Sequence, residues 1–502
     1  MQIDRTLKGW GAALPWLALA GLCGFAFFYR LGGLPLYSWD ESRLADSALE
    51  MTRNGNWLVT YYEGAPDLWS PKPPLMIWLM ALSIEAFGPV EWAVRLPSAI
   101  AASITTVVLY LFLSVHFRDR LAGFVASAAL MSTLGYVAKH AARSADYDAL
   151  LTLWTTLYVL AFYLALENEK RRSLYLAAFA VASMLAVLTK SIQGLIFFAP
   201  LAAYVVAIQR HRSLLKTPSL YVAFLTPIVV GCLFYVVREQ ADPGYIAAVL
   251  HTDVGRYTAG IDGRPNSDPL YYVLQPRNLP WLPVLPLALW ICWRHGRPRE
   301  KALTGFLGTG FLGYFLIISF AQTKYGWYAL PLHPLCALMI GLGFSVALRH
   351  YGPGMQRWGG VSGVTTSACA AMALAVIGLN WALVRYYYPD LMAEPPDQYS
   401  FFLRSLPQLM PDHRHVSVLH PGYKNSGGFA FYVAPTRFYV TALNDLGYDV
   451  SLEPLSGTHR ARDGEALLAC GDNRSAARKT GAVTIAEAYG CTAWTNPPEA
   501  ER

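Results

Sequence analysis

Charge is what this sequence has least of: only 15% of its 502 residues are Asp, Glu, Lys or Arg, against roughly 25% in ordinary soluble domains. A chain so short of charge cannot cover itself with polar surface, which excludes an ordinary water-soluble fold. It also lacks any repeat of about 20–50 residues and any low-complexity tract. Nor do its two halves mirror each other, as those of inverted-repeat transporters often do. Polar cysteine is scarce as well. Cys23, Cys232, Cys292, Cys336 and Cys369 lie in apolar blocks, where a thiol behaves as a small hydrophobe. Cys470 and Cys491 lie in polar sequence and are a candidate disulfide if that segment faces an oxidising compartment.

What the chain has instead is apolar sequence, 54% of it. Blocks fall near 11–30, 92–116, 121–138, 148–166, 174–189, 191–208, 219–237, 279–293, 303–321, 327–347 and 361–384. Most have the ~17–25 residues that cross a bilayer. The net charge of +7 is spread in short clusters between these blocks rather than gathered on one patch, so it is a topology signal and not a nucleic-acid surface. Arg5 and Lys8 before the first block, with no small-residue cleavage site behind it, read as an uncleaved anchor.

The block 74–87 is too short for a confident span, and whether it crosses sets the side of every later loop. If it lies in the interface, Arg118/Arg120, Lys170/Arg171/Arg172, Arg210/Arg212/Lys216, Arg294/Arg297/Arg299/Lys301 and Arg349/Arg357 all face the cytoplasm, as the positive-inside rule requires. The other parity fails. The opposite side then receives 31–91, 139–147, the surroundings of Lys190 and Lys324, 238–278 and everything after about 385. Residues 412–500 alternate short apolar runs (415–419, 429–433, 438–441, 466–469) with turn-rich stretches. The expected fold is therefore mainly α: a polytopic bundle of about eleven spans over residues 1–384, with a small extracytoplasmic α/β domain over 385–502.

The outer segments carry the chemistry. Asp40-Glu41-Ser42-Arg43 sits among Trp39, Trp57, Tyr61, Tyr62 and Trp69, aromatics that anchor a loop at headgroup depth. Carboxylates there are costly unless they stay wet or have a task; the plain alternative is a solvated loop with a surface ion pair. Arg143-Ser144-Ala145-Asp146-Tyr147-Asp148 places Asp148 at a helix amino terminus, where capping alone would stabilise it. Lys72, Lys190 and Lys324 are cations on the side that disfavours them. Each alone would be a snorkelling lysine, but with Arg256 they form a set suited to a lipid-borne phosphate. Such groups suit displacement at a sugar carbon with a lipid phosphate leaving: a carboxylate takes the acceptor proton, and cations stabilise the departing phosphate. No nucleotide or redox cofactor is required. A divalent cation shared by Asp40, Asp146 and Asp148 is the alternative to metal-independent transfer.

Over residues ~30–335 the chain resembles the integral-membrane GT-C glycosyltransferases, in particular the branch containing lipid A aminoarabinose transferase and protein O-mannosyltransferases. The resemblance rests on an ordered set: Asp40-Glu41-Ser42-Arg43, Lys72-Pro73-Pro74-Leu75, Arg95-Leu96-Pro97-Ser98, Arg143 with Asp148, Leu188-Thr189-Lys190, Arg256-Tyr257, Pro280-Trp281 and Lys324 to Pro331. It implies inverting transfer from a polyprenyl-phosphate sugar to a lipid, glycan or protein acceptor, on the periplasmic side of a bacterial inner membrane. By motif match Asp40 is the general base, with Glu41 and Asp148 as further acidic positions in the catalytic set. Lys72, Arg256, Lys324, Lys190, Arg43 and Arg143 are the expected donor-phosphate set. The chain has Pro71 where the aminoarabinose branch often has Glu, so no metal site using that carboxylate is carried over. A flippase of a lipid-linked sugar, holding the phosphate with the same cations, is the competing reading. A third reading, an extracytoplasmic tail that senses glycan on an inert membrane part, is set against both.

Overall fold

The computed structural model describes residues 15–258, 268–274, 280–352, 360–387, 397–422, 433–455, 465–474 and 482–495; Arg5, Lys8, Arg357 and most of the apolar run 429–433 lie outside them. The described part of each expected apolar block falls mainly on helix. Among the described residues, six helices are long and apolar enough to span a bilayer: Glu91–His116, Tyr147–Glu167, Glu169–Leu195, Pro218–Ala241, Pro298–Phe320 and Leu332–Tyr351. Pro15–Phe28, Arg120–Met131, Phe198–Ala207 and Cys369–Arg385 are apolar but shorter, and Leu285–His295 is shorter still than most. The helix Leu75–Phe87 has 13 residues, or about 20 Å, too little to cross.

The expected span 191–208 is broken. Ser191–Leu195 is a 3-10 turn and the α-helix starts only at Phe198. Because a 3-10 turn rises about 2.0 Å per residue, the combined segment still covers nearly a bilayer's depth. Gly194 makes this possible. A Cβ there would lie 2.5 Å from the backbone of Ala186 and Val187, so the turn presses directly on the preceding helix. Irregular backbone at membrane depth is tolerated where it lines a cavity, and Ile192, Gln193, Leu195 and Ile196 do line one.

Alternation of the helices gathers the basic loops at one end. Arg210 pairs with Glu167 at 2.7 Å and Arg349 with Glu300 at 2.7 Å, and His295 stacks on His350 at 3.7 Å. The loops 31–74 and 139–146 and the C-terminal unit sit at the other end. That unit is a five-stranded sheet ordered β4-β3-β5-β7-β6: β3 His415–His420, β4 Asp449–Pro454, β5 Ala466–Cys470, β6 Val483–Ala488 and β7 Cys491–Thr495. β3 pairs in parallel with β4 and β5, and β7 pairs antiparallel with β5 and β6. The expected apolar runs 415–419 and 466–469 are strands, whereas 438–441 belongs to the helix Ala434–Asp445, which begins with Pro at its first turn.

The sheet unit is bound to the membrane part. The Leu36 N–H donates to Tyr439 Oη at 3.0 Å, and Tyr439 Oη donates to Glu91 at 2.9 Å. Arg404 also reaches Glu91 and donates to the Gly32 and Gly33 carbonyls. Cys470 and Cys491 are opposite one another on β5 and β7 and form a disulfide. It closes a loop of 21 residues, for which the chain-entropy argument gives about 3 kcal/mol. Cys470→Ala/Cys491→Ala is expected to lower the stability of the sheet unit by about 2–4 kcal/mol, read as a lower first melting transition than the oxidised parent, with no change in the helical signal of the bundle.

Candidate functional site

The site is built where three loops meet at the sheet-bearing end of the bundle. The first contains Trp39, whose φ of +78° is unusual for a side-chain-bearing residue, followed by the helix Asp40–Asn54. The adjacent carboxylates Asp40 and Glu41 then diverge. Glu41 is 3% exposed and accepts from Arg95 Nε and Nη2 at 2.8 and 2.9 Å, from the Tyr37 N–H at 2.6 Å and from the Ala145 N–H at 2.8 Å. Asp40 is half-buried. Burial and the Asp146 carboxylate hold its carboxyl above the usual range, with Lys72, His140 and Arg256 pulling it back.

Lys72 lies just before the helix Leu75–Phe87, where two following prolines keep the chain extended. Its ammonium is 4.9 Å from the Tyr147 ring and 3.4 Å from Ser70 Oγ. Burial first, then Arg256 and Lys190, push it down to about 8 against the opposing pull of Asp40 and Asp253. The third loop supplies His140, in a left-handed turn (φ +63°). It stacks on Trp327 at 3.8 Å between ring centres, and its Nδ1 is 2.8 Å from Asp146 Oδ2. Burial raises Asp146, but the hydrogen bond and charge of His140, with Lys190, leave it below the usual carboxylate range.

Asp40, His140 and Asp146 each offer a ligand atom, all within 4.8 Å of one another. Two carboxylates and an imidazole are a chemically reasonable donor set for a divalent transition metal. The expected third member, Asp148, is elsewhere. It is 1% exposed and takes both Oδ atoms to Lys190 Nζ at 2.6 and 2.7 Å. Its place beside Asp40 and Asp146 falls to His140, which the sequence reading did not select.

The other expected cations also separate. Arg256 donates to Tyr328 Oη at 3.1 Å, held there because its carbonyl accepts from the Thr323 N–H at 2.9 Å. Arg43 is bidentate to Asp67 at 3.0 and 2.8 Å, with its guanidinium 3.3 Å from the Tyr62 ring centre. Arg143 donates to the carbonyls of Ala26 and Tyr29, fixing the first apolar helix to the loop. Lys324 turns back to the Ala321 carbonyl at 2.6 Å. The geometry thus brings Asp40, Lys72, Arg256, Asp146 and the Asp148–Lys190 pair together, while Arg43, Arg143 and Lys324 make local contacts.

Next to this cluster opens an amphipathic cavity of about 470 Å³. Its polar end has Asp148, Asp253, Arg256 and Tyr328, and its walls include Leu151, Ile196, Ile317 and Ile318. Such a space takes a molecule with an anionic head and an apolar tail.

Residues 71–237 match the family model described as dolichyl-phosphate-mannose-protein mannosyltransferase. The chain is 26% identical over 360 residues to an undecaprenyl phosphate-alpha-4-amino-4-deoxy-L-arabinose arabinosyl transferase of Proteus mirabilis, covering 70% of this chain and 63% of that protein. It is 25% identical to the corresponding transferase of Yersinia enterocolitica, over 76% of this chain and 68% of that protein. The match therefore spans about two thirds of these relatives' length. The fold is similar to the crystal structure of ArnT from Cupriavidus metallidurans bound to undecaprenyl phosphate, with a TM-score of 0.69 at 18% identity, over 98% of this chain and 99% of that one.

Because Asp148 and Lys190 satisfy each other in a buried place, removing one charge strands the other. Asp148→Ala and Lys190→Ala are each expected to destabilise the protein by about 3–5 kcal/mol. The paired apolar replacement Asp148→Leu/Lys190→Met should recover most of that, checked by comparing its unfolding in detergent with that of the parent and of the single variants Asp148→Leu and Lys190→Met.

Proposed function

We propose that the chain is a GT-C integral-membrane glycosyltransferase, near the aminoarabinosyl and mannosyl branch, and that it transfers a sugar from a polyprenyl-phosphate donor to a lipid, glycan or protein acceptor with inversion. The observation that carries this is the juxtaposition of a half-buried carboxylate, Asp40, with the cations Lys72 and Arg256, the last of which also lines an apolar-walled cavity. The polyprenyl tail lies against Leu151, Ile196, Ile317 and Ile318. Its phosphate meets Arg256 and Lys72, which offset the charge that grows as the sugar–phosphate bond breaks, an effect worth several kcal/mol in a water-poor site. Asp40 takes the proton of the acceptor hydroxyl as that oxygen attacks the sugar carbon. Its raised proton affinity suits a base at neutral pH.

Glu41 and Asp148 receive positioning roles in this reading, since each is saturated by a buried cation. Arg43 and Arg143 brace the loops, and Lys324 stands outside the phosphate set. A divalent ion held by Asp40, His140 and Asp146 would supply Lewis-acid activation of the acceptor oxygen. We favour transfer without it, because Lys72 and Arg256 already set positive charge beside Asp40. We take 1–384 as the membrane catalytic unit of an inner-membrane protein and 385–502 as its periplasmic domain. The basic loops at the opposite end and the Cys470–Cys491 disulfide, a bond of oxidising compartments, support that orientation. A flippase would use the same cations but has no need of a base beside them.

Asp40→Asn, which preserves shape, is expected to lower transfer from membrane-extracted polyprenyl-phosphate sugars by about 10²–10⁴-fold with the fold intact; equal activity in matched folded amounts would sink the assignment. The rate requires Asp40 deprotonated and Lys72 protonated. It should rise through an acid limb above the ordinary Asp range and fall as pH passes about 8, and the alkaline limb should move upward in Lys72→Arg. Thorough chelation is expected to leave transfer in place. Loss of activity that Mn²⁺ or Zn²⁺ restores, and that His140→Ala abolishes, would instead place an ion in the Asp40–His140–Asp146 group.

A further inference from the structure

Two carboxylates line the amphipathic cavity, Asp148 and Asp253. Asp148 is closed by Lys190. Asp253 is not: among the described residues it closes no ion pair, and its Oδ2 has no hydrogen-bond partner. It is half-buried on the helical run Leu250–Val254 and Gly255–Thr258. Arg256 follows three residues later, so the two side chains share one face, and both line the cavity. The Asp253 charge also acts on the Lys72 ammonium. A carboxylate held for structure has donors of its own, as Glu41, Asp67 and Asp148 do. Asp253 instead sets an open negative charge beside the two cations suited to a phosphate, where it weakens their hold on any anion.

Sugar transfer changes the charge of the lipid. A polyprenyl-phosphate sugar is a phosphodiester with one negative charge. As the acceptor oxygen bonds to the sugar carbon, the bond from that carbon to the phosphate oxygen breaks. Its electron pair stays on the phosphate, and the acceptor proton goes to Asp40. The polyprenyl phosphate left behind is a monoester, whose second ionisation near pH ~6 gives it almost two negative charges at neutral pH. Lys72 and Arg256 by themselves attract that extra charge and would retain the product. A carboxylate beside them repels the dianion about twice as strongly as the monoanion, because the interaction scales with charge.

We infer that Asp253 sets the charge selectivity of the lipid-phosphate site, so that a phosphodiester donor is held and the phosphomonoester product is released. The role rests on the polyprenyl-phosphate transferase reading, in which Lys72 and Arg256 receive the donor phosphate. It acts through space and requires no contact between Asp253 and the lipid. Asp253 is thus a specificity-determining residue, distinct from the base and from the phosphate-binding cations.

The test is binding of undecaprenyl phosphate and of its methyl diester to the purified full chain in detergent at neutral pH. The diester carries the donor's charge without a sugar, so charge is separated from sugar contacts. Parent, Asp253→Asn, Asp253→Glu and Arg256→Gln are compared. Asp253→Asn is expected to bind the monoester about ten-fold more tightly and the diester about three-fold, since the ligand charges differ by nearly two to one. Asp253→Glu should keep the parent's affinities, and Arg256→Gln should weaken both. Affinities in Asp253→Asn that are unchanged, or changed equally for the two esters, would overturn the assignment, as would Asp253→Glu behaving like Asp253→Asn. An Asp253→Asn variant that melts far below the parent and binds neither ester would make Asp253 a structural residue. A parent that binds neither ester, or binding indifferent to Arg256→Gln, brings down the phosphate site and the transferase reading with it. Binding that depends on Arg256 but ignores Asp253 removes the charge selectivity alone.

Discussion

One buried ion pair, Glu41 with Arg95, sets the geometry on which the site depends. Arg95 gives Nε and one Nη2 hydrogen to Glu41, the other Nη2 hydrogen to the Pro35 carbonyl, and both Nη1 hydrogens to the Leu31 and Leu34 carbonyls. Glu41 adds the N–H groups of Tyr37 and Ala145. Every donor of the guanidinium and all four lone-pair sites of the carboxylate are therefore used. A buried pair satisfied to this degree recovers its desolvation cost, whereas a half-satisfied one would not. It joins the entry loop 31–37, the helix that starts at Asp40, the membrane helix Glu91–His116 and the loop leading to Asp146. The residue before Glu41 is thereby fixed against the residues after His140.

From that frame follows a division among the charged side chains. Some close on a neighbour: Asp148 on Lys190, Arg43 on Asp67, Arg143 on two carbonyls. These hold helices and loops in register and are spent in doing so. Asp40 and Lys72 sit differently, since each is influenced by several charges and neither closes an ion pair among the described residues. The distinction between closed and open charge, more than the count of charges, separates Asp40 and Lys72 from the bracing pairs.

Composition was enough to read the bundle and the small α/β tail, because bilayer thickness and turn chemistry act on whole segments. The break at Ser191 was not legible. It depends on Gly194 meeting Ala186 through space, a contact no window of sequence contains. The same limit explains the site. Asp40 and Glu41 are neighbours of one residue type class, yet Arg95, 54 positions on, takes one and leaves the other. Asp148 read as a partner of Asp146 by spacing, but a helix turns its carboxylate toward Lys190. His140 carried a weak signal, a histidine among the polar residues of an outer loop, and only the turn that stacks it on Trp327 gives it meaning. Lys324 matched a motif, and its ammonium donates to the carbonyl of Ala321, three residues before it.

The C-terminal unit is part of this arrangement and not an appendage. Tyr439 lies between the Leu36 N–H and Glu91, and Arg404 adds the Glu91 carboxylate and the Gly32 and Gly33 carbonyls. Leu36 belongs to the same short loop whose carbonyls Arg95 gathers. A displacement of the sheet unit would therefore pull on the loop that Glu41 and Arg95 hold, and through it on the amino terminus of the Asp40 helix. Arg437 and Tyr439, two residues apart on a single helix, meet Glu50 and Glu91 respectively. The membrane part supplies the apolar-walled cavity and, with its loops, the charges around Asp40. The sheet unit closes the polar side, so the position of Asp40 is determined from both faces at once.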